Sequence, residues 1–266
     1  MSSLIVIPAR YDSTRLPGKP LLRQTGKYLI EHVYEQALKT KRASAVVVAT
    51  DDRRIADAVR EFEGQVVMTS ADHQSGTDRI AEVAAMKDFA HFDTIVNVQA
   101  DEPEIDPNLI DALIRLLERT DVQMATAAAP FDNAAEIANP GIVKVVIDQR
   151  RFAMYFSRSV IPHDRDGQTS GAGALMLAGL YRKHLGIYAY QKAFLLQLAA
   201  AEACELEKLE KLEQLRALYL GAGIIVHDTP QAHHGIDTPE DYAAFVRRYA
   251  CAEPEVFRNL QSPGFP

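Results

Sequence analysis

Arg10, Arg15 and Lys19 stand in one loop, ARYDSTRLPGKP, directly behind the apolar run Leu4-Ile5-Val6-Ile7. A guanidinium presents a planar fork of donors and an ammonium a compact charge, and both suit a polyphosphate. Pro17 and Pro20 stiffen the loop, while Gly18 lets backbone amides approach an anion. The loop is not a Walker A motif, because the earlier glycine is missing and Pro20 follows Lys19 where a hydroxyl residue is required. Any one of these cations alone reads as an exposed surface charge. The run as a whole points to a triphosphate.

Two further segments carry usable chemistry. In Asp72-His73-Gln74-Ser75-Gly76-Thr77-Asp78-Arg79, Gly76 permits close backbone approach, and Gln74 and Ser75 can hydrogen-bond the edge of a base. On local grounds alone, Ser75 or Thr77 reads more simply as a helix cap. The segment Gln99-Ala100-Asp101-Glu102-Pro103 follows another apolar run, and Gly235-Ile236-Asp237-Thr238-Pro239 brings a distant carboxylate to a helix start. Magnesium takes a few carboxylate oxygens together with phosphate and water oxygens. Asp101 and Asp237 can supply them if the fold closes them together. Asp237 as a plain N-cap before Pro239 is about as good a local reading.

These residues need elements to hold them. Apolar runs at Leu4–Ile7, Ala45–Ala49, Gln65–Met68 and Thr94–Val98 alternate with helical stretches at Leu29–Lys39, Arg53–Phe62 and Thr77–Met86. That alternation predicts a mostly parallel sheet with helices on both faces, whose ligands sit beyond the carboxyl ends of the strands. Val122–Ala129, Ile142–Ile147 and Phe152–Phe156 read as closely spaced antiparallel strands, an excursion over residues 120–165 of the kind used for dimerisation. Asp164–Gly173 reads as a loop, Leu206–Leu220 as one long helix, Ile224–His227 as a strand, and a further helix starts at Pro239. In LEKLEKLEQLR, leucines and glutamates each recur every three residues; the leucines are expected to face the core and Glu207, Glu210 and Glu213 the solvent. The domain expected is residues 1–252, with 253–266 as a loose tail.

Composition bounds the function. A net charge of -7 argues against a nucleic-acid backbone as partner, which requires a basic surface. No segment reaches the ~18 apolar residues of a membrane span, and no membrane insertion is expected. Cys204 and Cys251 have neither metal-ligand nor disulfide-framework spacing, which fits a reducing cytoplasm. His233-His234 lacks a third ligand, and neither it nor His184 supports a zinc site.

Together these segments resemble one family, the 3-deoxy-manno-octulosonate (Kdo) cytidylyltransferases. The resemblance runs from about Leu4 to Tyr249 and is carried by IPARYDSTRLPGKPL, ATDD, SADHQSGTDR, VNVQADEP, VKVVID, YFSRSVIP, HLGIYAY, LEKLEKLEQLRAL and GIDTPEDY. It implies a Rossmann-like nucleotidyltransferase fold, a homodimer, and CMP transfer from CTP to Kdo with release of pyrophosphate, which activates the sugar for lipopolysaccharide synthesis. It implies Arg10, Arg15 and Lys19 on the CTP phosphates, with Asp101 completing the catalytic set. Ser13, Gln74, Ser75, Gly76 and Gln99 are then expected on the rest of CTP, and Asp101 and Asp237 on Mg2+. It assigns Arg158, His184, Tyr188, Glu210, Glu213 and Gln214 to the acidic-sugar pocket, which revises the solvent reading of the glutamates. Arg158 is the first candidate for the sugar carboxylate and Arg165 the second. Ala100 stands where the family has glycine, and Gly167–Tyr181 departs in composition, leaving the exact sugar open. Synthetases for 8-amino-Kdo or sialic acid, a non-catalytic nucleotide-binding regulator, and a glycosyltransferase are the competing readings. Retention of Lys19, Asp101 and Asp237 argues against the regulator, and Asp101-Glu102-Pro103 lacks the Asp-x-Asp form of the last.

Overall fold

The structure is a computed structural model and describes residues 2–12, 15–73, 75–165, 180–230, 232 and 235–252. Among these, nine strands join in one sheet: β1 (Ser3–Ala9), β2 (Ala45–Thr50), β3 (Val66–Met68), β4 (Thr94–Asn97), β5 (Met124–Ala129), β6 (Lys144–Ile147), β7 (Ala153–Ser157), β8 (Lys183–Gln191) and β9 (Ile224–Asp228). Their order is β3-β2-β1-β4-β8-β5-β9. The pairs β1–β2, β1–β4, β2–β3 and β5–β9 are parallel, while β8 runs antiparallel to both β4 and β5. One reversed strand therefore sits in the middle of an otherwise parallel sheet. The edge that receives the carboxyl ends of β1, β2 and β4 also receives the start of β8.

Helices α1 (Leu29–Leu38), α2 (Arg53–Glu61) and α4 (Pro107–Leu116) cover one face; α3 (Gly76–Ala85) and α5 (Lys192–Ala200) cover the other. Alternation along β1 builds both cores at once. Ile5 and Ile7 pack with Ile30, Val33, Ile55 and Leu109. Leu4 and Val6 pack with Ile80, Val83, Phe194 and Leu195. A strand buried on both sides must be continuously apolar, which is how Leu4–Ile7 reads. The sequence reading left α4 unassigned, although Asp106 caps it by accepting from Asn108 N (2.9 Å) and Pro107 opens it.

Some of these expectations are corrected. Val122–Ala129 is not part of an excursion: β5 is an inner strand of the main sheet, and only the β6–β7 hairpin lies off it. The expected helix Leu206–Leu220 is two, α6 (Glu205–Glu210) and α7 (Gln214–Tyr219), broken where Lys211 takes φ 55°. A strict three-residue leucine repeat rotates steadily around a helix of 3.6 residues per turn, so one straight helix cannot bury all its leucines. The break puts Leu212 and Leu215 in the core and leaves Leu206 and Leu209 on the surface, the latter 82% exposed. Glu207, expected in solvent, is buried against Arg216, whose fork makes two bonds to its carboxylate (2.8 and 2.7 Å). The last helix, α8 (Pro239–Ala252), follows an antiparallel exchange of caps: Asp241 N donates to Thr238 Oγ1, and Thr238 N donates to Asp241 Oδ2. Asp237 is thereby released from capping.

Candidate active site

The loop after β1 is closed by Gly18 N donating to Tyr11 O (2.9 Å), with Gly18 at φ 67°. A side chain there is strained, and its Cβ would also meet the Tyr11 ring at 3.0 Å. The turn delivers Lys19 into a 3-10 segment, Lys19–Leu21, whose ammonium reaches Asp101 Oδ2 (2.5 Å), Asp237 Oδ1 (3.1 Å) and Ile236 O (3.0 Å). Arg15 pairs with the other oxygen of Asp237 (2.9 Å). Ile236 N donates to Asp101 O (2.8 Å), which ties the segment before α8 to the loop after β4. The fold thus closes Asp101 and Asp237 onto one point, separated by more than a hundred residues in sequence. Oxygens converging on a single positive charge make a suitable hard-donor set for a small divalent cation. Among the described residues no group of three or more His, Cys, Asp or Glu forms a metal shell, so a cation here would complete its ligands with substrate oxygens and water.

Arg10 donates to His73 O (2.6 Å), joining the first loop to the segment before α3. Ser75 is the N-cap of α3: its Oγ accepts from Asp78 N (3.1 Å). The simple reading of that side chain holds. Gly76 has open space beside it, the nearest atom to an added Cβ being Pro8 Cγ at 3.6 Å. Arg79 is fully buried behind this turn, donating to Thr69 Oγ1 and pairing with Asp51 at 3.2 Å, so it locks the ends of β2 and β3 to α3.

A cavity of about 510 Å³ lies beside these groups, a size that suits a small ligand. Gly76, Gln99, Glu102, Asp237, His184, Tyr188, Glu213 and Gln214 contribute to its wall. A β-bulge shapes that wall: pairing of β5 with β8 jumps from Thr126↔Tyr188 to Ala127↔Leu185, leaving Gly186 and Ile187 without opposite residues. Gln99 Nε2 donates to the freed Gly186 O (3.1 Å). Burial pushes His184 down to about 3 and Tyr188 well up, so both are neutral hydrogen-bonding groups at neutral pH. Burial, with the charge of Asp101 next to it, pushes Glu102 up to about 8.

The family model for cytidylyltransferases matches residues 4–224. The chain is 51% identical over 243 residues to a 3-deoxy-manno-octulosonate cytidylyltransferase of Syntrophotalea carbinolica, covering 91% of this chain and 96% of that one. It is 46% identical to the protein of that name from Vibrio vulnificus, covering 95% and 100%. The chain belongs to the 3-deoxy-manno-octulosonate cytidylyltransferase family. It is therefore an enzyme, a cytidylyltransferase. A solved CMP:2-keto-3-deoxy-manno-octonic acid synthetase complexed with CTP shares the fold at a TM-score of 0.86 and 40% identity, covering 95% of this chain and 100% of that one. The Rossmann-like nucleotidyltransferase fold expected from sequence is the fold observed.

Within this member of the 3-deoxy-manno-octulosonate cytidylyltransferase family, most of the expected site residues fall into three groups, while Arg10 holds His73 O and Ser75 caps α3. Lys19, Asp101, Asp237 and Arg15 form the ion-pair cluster, while Gly76, Gln99, His184, Tyr188, Glu213 and Gln214 share the cavity with Asp237. Arg158 and Glu210 are engaged with each other instead. Glu210 accepts from Ser157 Oγ (2.6 Å) and Arg158 N (2.9 Å), and Arg158 Nε donates to Glu210 O (2.7 Å). Ser13 and Gln74 lie outside the described residues, as do His233, His234, most of Gly167–Tyr181 and the tail 253–266. Sequence reasoning missed Glu102, Thr77, Tyr190 and Lys183 on the cavity wall. Thr77, Glu102 and Tyr190 stand inside segments the sequence already singled out, and Lys183 is a cation one residue before HLGIYAY.

Proposed function

We propose that the ion-pair cluster and the neighbouring cavity are the nucleotide and acid-sugar halves of one active site. The observation carrying this is that Asp237 belongs to both: it pairs with Lys19 at 3.1 Å and also lines the cavity. The enzyme transfers CMP from CTP to Kdo, giving CMP-Kdo and pyrophosphate, a product that feeds lipopolysaccharide synthesis. The anomeric hydroxyl attacks the α-phosphorus in line, and pyrophosphate leaves opposite. Arg10, Arg15 and Lys19 neutralise the triphosphate and the charge that builds on the leaving group. Positioning carries much of the rate, since no covalent step on the protein is needed.

Asp101 and Asp237 would hold Mg2+, which when bound adds positive charge at phosphate oxygens and acidifies a coordinated hydroxyl. Gly76 and the adjoining turn face the cytosine, and Gln99 the nucleotide sugar. His184, Tyr188, Glu213 and Gln214 bind the hydroxyls of Kdo, with Arg158 and Glu210 bracing the wall behind them. Exposed Met154 (63%) and Val160 (40%) on and after β7 support a homodimer through the 120–165 region. The described chain has no helix long and apolar enough to cross a membrane, and we place the enzyme in the cytoplasm as one domain over residues 1–252.

The test is pyrophosphate release from CTP with Kdo, 8-amino-Kdo and sialic acid as acceptors. Kdo is expected to be turned over with the highest kcat/KM. Preference for sialic acid, or no release with any of the three, would refute the assignment.

A further inference from the structure

Thr126 carries the single hydroxyl in the strand Met-Ala-Thr-Ala-Ala-Ala, and it is fully buried. Its Oγ1 lies 2.8 Å from Ile187 O, 3.2 Å from Leu185 O and 3.0 Å from His184 Nε2. Carbonyl oxygens only accept, and a hydroxyl has one proton to give. Both carbonyls flank the bulge, where β5 has no residue opposite Gly186 or Ile187. A hydroxyl and a carbonyl oxygen at 2.8 Å need a proton between them and only the hydroxyl has one, so the Thr126 proton goes to the nearer carbonyl, Ile187 O. The oxygen then turns a lone pair to His184, and Nε2 must carry the hydrogen. Burial keeps the ring neutral, with its pKa lowered to about 3, so Nδ1 is bare. Among the described residues the Thr126 contact is the ring's only hydrogen bond, and its remaining neighbours are the rings of Phe156 and Tyr188 at 4.9 and 5.5 Å. His184 lines the cavity.

We propose that Thr126 is a positioning residue that holds His184 as its Nε2–H tautomer, so that Nδ1 offers the cavity an acceptor for one hydroxyl of the sugar. This rests on reading the cavity as the sugar half of the site. An acceptor attracts a hydroxyl and repels a carboxylate, so His184 faces the polyol side of the acid sugar and not its acid group. The bulge and the tautomer are linked, since the carbonyl that takes the Thr126 proton belongs to Ile187, one of the two residues the bulge leaves without an opposite on β5.

The tautomer is measured directly by long-range 1H–15N correlation of histidine-labelled full-length enzyme, with His184→Asn for assignment. The wild type and Thr126→Ser should both show Nε2–H at His184, and Thr126→Val should show a mixed or reversed pattern. In kinetics, Thr126→Val should raise the KM for Kdo by ~10-fold, the worth of one oriented hydrogen bond, with the KM for CTP unchanged. Thr126→Ser should restore it. An Nδ1–H ring in the wild type overturns the proposal, and that measurement stands even if Thr126→Val fails to fold. An unchanged tautomer in a folded Thr126→Val overturns the role of Thr126. The expected tautomer shift with an unchanged KM for Kdo overturns the link to the sugar. His184→Gln separates the underlying reading: if it too leaves Kdo dependence unaltered, the cavity is not the sugar site.

Discussion

Replacing Asp101 with asparagine separates catalysis from stability at the centre of the ion-pair cluster. The substitution keeps shape and volume but removes one of the two charges that converge on Lys19. The ammonium retains Asp237 at 3.1 Å and Ile236 O at 3.0 Å, and the Asp101 carbonyl still receives Ile236 N–H. The loss to folding is thus one charge-assisted bond whose donor keeps two partners, about 1 kcal/mol at a site that is a quarter exposed on the Asp101 side. For a chain of this size that is a fall in Tm of about 2–4 °C. Turnover should suffer much more. Under the proposed function Asp101 holds the Mg2+ that neutralises the reacting phosphates, and weakening such an electrostatic stabiliser costs on the order of 100-fold or more, about 2.7 kcal/mol of activation free energy. Pyrophosphate release with Mg2+ titrated across the assay, beside thermal melts, measures both. A rate within about threefold of wild type at saturating Mg2+ would refute the metal assignment. A Tm lowered by more than ~10 °C would refute the local reasoning, because it would make Asp101 a structural residue.

The two glutamates of the broken helix should behave differently: Glu213→Gln should raise the KM for Kdo by ~10-fold or more with little effect on CTP, whereas Glu210→Gln should act chiefly on stability by weakening its hold on Ser157 and Arg158. Kinetics with each substrate varied in turn, set beside melting curves, distinguishes them; a shift in Kdo dependence for Glu210→Gln alone would reverse the assignment. Truncating Glu207 to Ala strands the guanidinium of Arg216 in the core and should cost about 3–5 kcal/mol in urea unfolding; a loss under ~1 kcal/mol would mean the pair is solvated. His32 is buried against Phe245 and Tyr249, and burial lowers its pKa to about 4 from 6.5. The unfolded chain binds the proton first, so its contribution is complete above pH 6.5 and is lost as pH falls towards 4, by up to about 2 kcal/mol at pH 5. His32→Gln should flatten the difference in unfolding free energy between pH 7 and pH 5, and an equal pH dependence in both proteins would rule this out.

The parallel half of the fold was legible because burial on both faces leaves a plain mark: Leu4–Ile7 and Ala45–Ala49 are uninterrupted apolar runs at the positions of β1 and β2. The cation loop was legible for the same reason, since its charges follow directly on such a run. What lay hidden was set by contacts distant in sequence. Nothing local to Lys183–Gln191 says that this strand runs backwards between β4 and β5. The three-residue leucine repeat looked like one helix because helical periodicity cannot show where a chain turns to bury Leu212 and Leu215 and leave Leu209 outside. The local ambiguity at Asp237 was real, and it was resolved by Thr238 and Asp241 capping α8 between themselves. At Ser75 the cap was visible from spacing alone, and the cap is what the side chain does.

The reversed central strand also imposes a timetable on synthesis. The half-sheet β3-β2-β1-β4 is complete in the chain by Asn97, but the partner of β4 ends only at Gln191. Ribosomes add ~5–20 residues per second, so the open edge of β4 waits on the order of 5–20 s for the strand that covers it. During that interval Ile95 and Val96, buried in the finished protein, sit on an unpaired edge of the kind other chains can extend. Strand β5 waits as well, since β8 and β9, its neighbours on either side, both come later. The nascent chain is most vulnerable to aggregation between those two moments. The strand that covers β4 is the same one that brings His184 and Tyr188 to the cavity, whose wall is finished only when Glu213, Gln214 and Asp237 follow.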